Sequence, residues 1–216
     1  MELRHIVVEG PIAVGKTTLA RIIADEFGAE LELDPAAKNP FLHDFYEDPE
    51  RFALPAQLDF LTRRLDQQVR IRERLALHKP IVSDYLVAKE EIFARLTLGE
   101  TELGLYSELA RRLSHSQGEE PPRPDLVVYL EARYEVLRER LRKRNRDFEQ
   151  RISPEYLETL AEAYREYFHS YEEAPLLVVN CSSIDFLECG DERVDLLREI
   201  RSAQRGVQHY IPLGSR

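Results

Sequence analysis

Cysteine is scarce in this chain: 216 residues hold two, Cys181 and Cys189. So few, with no C-x-x-C spacing, exclude a disulfide framework, and both are expected to be reduced and structural. Positive charge is also short. Lys and Arg number 30 against 40 Asp and Glu, a formal net charge of -10. That balance speaks against general binding to nucleic acid or to an anionic membrane. No apolar run is long enough to span a bilayer and no signal-peptide pattern is visible, so a soluble, cytoplasmic protein is expected. Repeats and low-complexity tracts are missing, and the six histidines form no H-E-x-x-H pair. What remains is globular material, 43% hydrophobic and 32% charged. It is enough for a buried core in one domain over 1–216.

Apolar runs at 6–8, 31–33, 80–83, 126–130 and 176–179 read as short strands. Between them, helical spacing recurs over 16–27, 52–78, 132–144 and 191–203, with a further helical stretch around Ile92, Phe93 and Leu96. Leu58, Leu61, Leu65, Val69 and Leu75 would lie on one side of the long second helix. Ser153 followed by Pro154 has the form of a cap and first turn. The segment 118–124, with Gly118, Pro121, Pro122 and Pro124, is a surface break. Alternating strands and helices predict an α/β fold, a central mostly parallel sheet flanked by helices. The tail 206–216 carries no motif.

The strongest signal is Gly10-Pro11-Ile12-Ala13-Val14-Gly15-Lys16-Thr17, followed by Thr18. It fits G-x-x-x-x-G-K-[ST] at every fixed position, after a strand and before an amphipathic helix. The glycines let backbone N–H groups wrap a phosphate, and the helix start adds its positive dipole end. Lys16 is expected to reach the β and γ phosphates of ATP, and the Thr17 hydroxyl to ligate Mg2+. No guanine-reading N-K-x-D accompanies it, so a GTPase is disfavoured. The size suits a small-molecule kinase.

The acceptor side carries a resemblance. Asn39-Pro40-Phe41-Leu42, then Phe45-Tyr46-Glu47-Asp48-Pro49-Glu50-Arg51, resembles the deoxyribonucleoside kinase family, nearest its bacterial deoxyadenosine and deoxyguanosine kinase branch. Gln57 seven residues before Arg64, Ser83-Asp84-Tyr85, and Pro124-Asp125-Leu126-Val127-Val128-Tyr129-Leu130 follow in the family's order. The resemblance covers nearly the whole chain. It implies a P-loop kinase fold, ATP and Mg2+, a homodimer, and transfer to the 5'-hydroxyl of a deoxynucleoside, deoxyadenosine first, with deoxyguanosine or deoxycytidine as further acceptors.

The same resemblance implies residue roles. The family's general base is a Glu before a Pro after the second strand; here Asp34 precedes Pro35, and Glu32 is the alternative two residues upstream. Asp84 leaves a strand end toward the ligand crevice, where the family carries an acid near Mg2+ and the 5'-hydroxyl. Tyr85 stands where the animal enzymes carry Arg. Gln57 and Arg64, with Glu90, would read the base. Their spacing puts the first two on one helix face, and an amide can both donate and accept. Tyr46 and Glu149 match contacts to the deoxyribose 3'-hydroxyl. Residues 138–151 hold seven basic residues against three acids. This matches the family's Arg-rich lid, about 142–151, with Arg142, Arg144 and Arg146 clamping the transferring group. Asp185-Phe186 resembles the loop beside the adenine of ATP. By contrast, the stripe Tyr156, Leu160, Tyr164 and Phe168 reads as packing. A nucleoside monophosphate kinase and a non-catalytic nucleotide-binding domain are the rival readings.

Overall fold

In the computed structural model, residues 3–87, 89–116, 121–183 and 190–211 are described. Strands β1 (His5–Glu9), β2 (Glu30–Glu32), β3 (Ile81–Ser83), β4 (Leu126–Glu131), β5 (Leu176–Asn180) and β6 (Val207–Tyr210) form a sheet in the order β2-β3-β1-β4-β5-β6. Every neighbouring pair is parallel. The expected α/β architecture is therefore present with a wholly parallel described sheet rather than a mostly parallel one. The unexpected member is β6, inside the tail left without a motif. It lies at the sheet edge with residues alternately exposed and half-buried, so it lacks the continuous apolar run that marks an interior strand.

The helices are α1 (Lys16–Phe27), α2 (Leu42–Glu47), α3 (Pro49–Ala76), α4 (Lys89–Thr97), α5 (Glu100–Ser116), α6 (Tyr134–Arg144), α7 (Pro154–His169) and α8 (Gly190–Ser202). Alternation along the strands splits the core into two layers. Ile6, Val8, Leu126, Val128 and Leu130 pack with Leu19, Ile23, Leu137, Leu196 and Ile200 from α1, α6 and α8. Val7, Val127, Tyr129 and Val178 face the other way, against Ile92 of α4 and Leu160, Tyr164 and Phe168 of α7. A third cluster joins α2, α3, α4 and α5 through Phe45, Ala53, Phe60, Leu61, Ala94 and Tyr106. Ser153 caps α7 as expected, its hydroxyl accepting from the Tyr156 N–H at 3.1 Å.

Helix α3 departs from its sequence pattern. Of Leu58, Leu61, Leu65, Val69 and Leu75, only Leu61 is buried. Beside Ala53, Ala56, Phe60 and Ile71, its inner face also buries Gln57, Arg64, Gln67 and Gln68. A helix face so rich in polar groups is tolerated inside a protein only where it meets partners or a ligand.

The sheet order sets β1 beside β3, and β3 beside β2. Three loops then leave adjacent parallel strands at their carboxyl ends, the place where open α/β sheets bind ligands. The 10–17 loop follows β1, Asp34 follows β2 by two residues, and Asp84 follows β3 directly.

Candidate active site

The loop after β1 has backbone geometry that few sequences permit. Gly10, Ala13 and Gly15 have φ of 151°, 65° and 114°. A Cβ on Gly10 would meet the Leu130 carbonyl oxygen at 2.4 Å, so this position is open only to glycine. The Lys16 ammonium folds back on its own loop, donating to the carbonyls of Gly10 at 2.6 Å and Pro11 at 2.9 Å. Burial and the nearby Lys89 charge push its pKa down to about 8.

Beneath the loop sits Glu9, wholly buried. Its Oε1 accepts from the Gly10 N–H at 2.8 Å and the Tyr164 hydroxyl at 3.3 Å, and its Oε2 from the Leu86 N–H at 2.9 Å. One carboxylate thus joins the loop after β1, the loop after β3 and helix α7.

The Thr17 hydroxyl donates to Asp84 Oδ2 at 2.5 Å, and Asp84 Oδ1 accepts from the Asp34 N–H at 2.6 Å. A hydroxyl and a carboxylate this close are hard oxygen donors of the kind Mg2+ takes. The donor set and the glycine-only cradle together fit a Mg-nucleotide.

A cavity of about 700 Å³ opens from the loop. Its wall includes 12–18, Asp34, Tyr46, Gln57, Arg64, Asp84, Arg144, Arg146 and Glu149. Most of the expected acceptor-side residues therefore meet in one space. Asp34 Oδ2 accepts from Lys89 Nζ at 2.9 Å and lies 3.7 Å from Arg64 Nη2. Burial alone would raise its pKa, but Lys89 and Arg64 outweigh that and hold the carboxyl well below the usual carboxylate range. Glu32 pairs with Arg70 at 2.7 Å and is not part of the cavity wall. Of the two candidate acids, Asp34 is therefore the one on the cavity wall.

Arg64 lies between the rings of Phe60 and Tyr85, 4.7 and 4.5 Å from their centroids. Its Nη1 is 3.6 Å from Glu90. Glu90 in turn accepts from the hydroxyls of Tyr85 at 2.7 Å and Tyr106 at 3.1 Å. Tyr85 and Glu90 are thus behind Arg64, not on the cavity wall as substrate-binding residues would be. Gln57 donates to the Thr97 hydroxyl at 3.1 Å. Several polar atoms here are buried with no hydrogen-bond partner: Gln57 Oε1, Arg64 Nε and Nη1, Asp34 Oδ1, Glu149 Oε2 and the Tyr156 hydroxyl. Orphaned donors and acceptors gathered around one cavity point to a polar ligand that completes them.

On the same cavity wall, Arg144 and Arg146 pair with Glu149 at 3.4 and 3.5 Å. Burial and the Glu149 charge push the Tyr46 phenol well above its usual range. Arg142 is a correction. It is exposed and off the cavity wall, about half a turn from Arg140 and Arg144 on α6. Arg140 occupies the inner face instead, donating to the carbonyls of Val14 and Cys181, both at 2.9 Å. Asp185, Phe186 and Cys189 lie outside the described residues.

Sequence reasoning missed Lys89, Glu9, Arg140 and Tyr156. Leu160, Tyr164 and Phe168 pack as expected, but Tyr156 at the head of that stripe lines the cavity. Two signals were available. Lys89 puts a cation in the first turn of a helix, where the macrodipole opposes it. Glu9 puts an acid at the end of a strand otherwise buried on both sides. Away from the cavity, His43, Asp44 and Glu47 bring possible ligand atoms within 4.8 Å on α2. Glu47 there also pairs with Arg151.

Comparison with known proteins gives a consistent answer. The family model described as deoxynucleoside kinase matches residues 6–204. The deoxyguanosine kinase of Bacillus subtilis is 32% identical over 187 residues, covering 84% of this chain and 88% of that one. The deoxyadenosine kinase of Dictyostelium discoideum is 30% identical over 188 residues, covering 84% and 74%. Among solved structures, deoxyadenosine kinase from M. mycoides with bound dCTP superposes with a TM-score of 0.76 at 23% identity, covering 92% of this chain and 98% of that one.

Proposed function

The chain belongs to the deoxynucleoside kinase family, and on that premise we propose that it transfers the γ-phosphoryl group of ATP to the 5'-hydroxyl of a purine deoxynucleoside, deoxyadenosine first. Membership sets aside the monophosphate-kinase and non-catalytic readings. The observation that carries the assignment of roles is the single cavity in which the phosphate loop, the Asp34–Asp84 pair and the Gln57–Arg64 pair line successive parts of the wall.

When bound, Mg-ATP supplies the phosphoryl group and the metal charge that offsets it. Thr17 and Asp84 would hold the metal, and the N–H groups of the 10–17 loop the phosphates. Lys16 would exchange its two loop carbonyls for phosphate oxygens. Asp34 would accept the 5'-hydroxyl's hydrogen bond and orient it for in-line attack; a loose transition state asks more for such placement than for a strong base. Arg144 and Arg146, from the 142–151 lid, would balance charge on the transferring group and exclude water. Tyr46 and Glu149 would take the 3'-hydroxyl.

The base end supports adenine. Gln57 Oε1 is an orphaned acceptor and Arg64 an orphaned donor. Adenine offers an N6 amino donor and an N7 acceptor to such a pair, whereas guanine offers two acceptors, O6 and N7. Of the two relatives named above, one is a deoxyguanosine kinase and the other a deoxyadenosine kinase. We place both sites in one P-loop domain, acting as a cytoplasmic homodimer without nucleic-acid or membrane partners. No described helix is long and apolar enough to cross a membrane.

The test is Mg-ATP turnover against deoxyadenosine, deoxyguanosine, deoxycytidine, thymidine, adenosine, AMP and dTMP, with Asp34→Asn as control. Turnover confined to deoxynucleosides, led by deoxyadenosine and lowered on the order of 10²-fold or more in the control, is expected. Deoxyguanosine in first place would overturn the adenine assignment. An unaffected control would remove Asp34 from the reaction. Native mass measurement tests the dimer.

A further inference from the structure

Lys89 is buried, 6% exposed, in the first turn of α4. Both features are unfavourable for an ammonium unless it is paired. Its hydrogen-bond acceptor is Asp34 Oδ2 at 2.9 Å. It also lies over the rings of Tyr85 and Phe93, at 5.7 and 5.6 Å. Arg64 approaches the same carboxylate from α3, and the Asp34 backbone is held by Asp84. The two oxygens of Asp34 therefore differ. Oδ2 is pinned between two cations, while Oδ1 is buried with no hydrogen-bond partner on a residue that lines the cavity.

We propose that Lys89 is a positioning residue for the acceptor hydroxyl: by anchoring Asp34 Oδ2 it keeps Oδ1 turned to receive the hydrogen bond of the substrate's 5'-hydroxyl. The inference rests on the functional reading above and extends it to a residue outside its machinery. Other charges face the same spot. Arg64 and Lys16 oppose the Lys89 charge or compete for Asp34; Glu9 favours it; Asp84 and Glu90 lie on either side in sequence. Arg64 alone does not fix the carboxylate, because its 3.7 Å approach is longer than a hydrogen bond. Without Lys89 the Asp34 side chain is free to rotate toward Arg64, carrying Oδ1 from its place. Misplacement by about 1 Å at a reacting centre is enough to cost on the order of 10²-fold in rate.

The experiment is a double-mutant cycle in kcat and KM, with Mg-ATP and deoxyadenosine, on the full chain: wild type, Lys89→Met, Asp34→Asn and the pair. Lys89→Met is expected to lower kcat on the order of 10²-fold, with both KM values within about threefold of wild type. On the Asp34→Asn background the further loss should stay under about twofold, because the lysine acts through that carboxylate. Lys89→Gln, which keeps a donor for Oδ2, is expected to recover about tenfold over Lys89→Met, and it carries the cycle if Lys89→Met fails to fold. A kcat within about threefold of wild type, losses that multiply in the double variant, or a rise in KM alone would each overturn the proposal. Wild-type protein that turns over no deoxynucleoside would instead overturn the functional reading on which it rests.

Discussion

The most informative residues of this protein are polar side chains buried short of partners. Gln57 and Arg64 carry orphaned atoms next to a cavity, and under the proposed function a base that satisfies both would be bound by repayment of their desolvation. Gln57→Leu is therefore expected to lower kcat/KM for deoxyadenosine by about ten- to a hundredfold, at the scale of one bidentate base contact. The KM for ATP should stay unchanged in the same assay. His5 is a buried polar residue of another kind, away from the cavity. Burial outweighs the nearby Asp125 carboxylate and pushes its pKa down to about 4 from 6.5. Well above pH 6.5 it is neutral folded or unfolded and contributes nothing to the pH slope. As pH falls from 6.5 to 4 the unfolded chain takes up a proton that the folded one refuses, so stability is lost, on the order of 3 kcal/mol by pH 4. Urea unfolding of wild type and His5→Gln across that range should show the extra slope in the wild type alone. Sequence spacing had placed Gln57 and Arg64 on one face of a helix, because 3.6-residue periodicity is local. It could not say that Tyr85 and Glu90 stand behind Arg64, since that depends on how α4 docks against α3.

At the scale of elements, the phosphate loop and helix α7 show how local chemistry sets geometry. Gly10 is constrained twice, by a φ of 151° and by the Leu130 carbonyl on the neighbouring strand. Gly10→Ala must shift either the loop or β4, and is expected to abolish measurable ATP binding in calorimetry while leaving helical circular dichroism intact. The Ser153 cap at the head of α7 is worth about 1 kcal/mol. Ser153→Ala should lower the unfolding free energy by that amount, read as a lower urea midpoint without change in slope. The start of α1 and the capping of α7 were legible in sequence because Gly, Pro and Ser act on the few residues beside them. Helix α3 was not. Its apolar periodicity pointed to the leucines, yet the buried face mixes Ala53, Ala56, Phe60, Leu61 and Ile71 with four polar residues, because the helix borders a polar cavity as well as a core. The Arg-rich segment was legible as a cluster, but not which of its members turn inward; α6 presents Arg140 and Arg144 and leaves Arg142 outside.

For the whole molecule, Glu9 is the point where separate parts of the chain are joined. Its two oxygens receive donors from the loop after β1, the loop after β3 and α7, spanning 155 residues of sequence. Glu9→Gln replaces one of those acceptors by an amide donor, leaving a backbone N–H facing another N–H. The expected cost is about 2 kcal/mol of unfolding free energy. A drop in kcat should accompany it, because the phosphate loop and the Asp84 loop lose their shared anchor. Urea unfolding and steady-state turnover on the same preparation check both. By itself the sequence determined the phosphate loop, the alternation of strands and helices, and the order of acceptor-side motifs. Each of these depends on residues near one another in the chain, where dihedral preference and periodicity act. Only the tertiary structure decided that β6 forms the sheet edge, that Asp34 rather than Glu32 lines the cavity, that Lys89 lines it too and that Glu9 lies beneath its loop. Those outcomes arise from strand register and helix docking, which bring charges tens of residues apart within hydrogen-bonding distance, and low-dielectric burial then makes each such pairing obligatory.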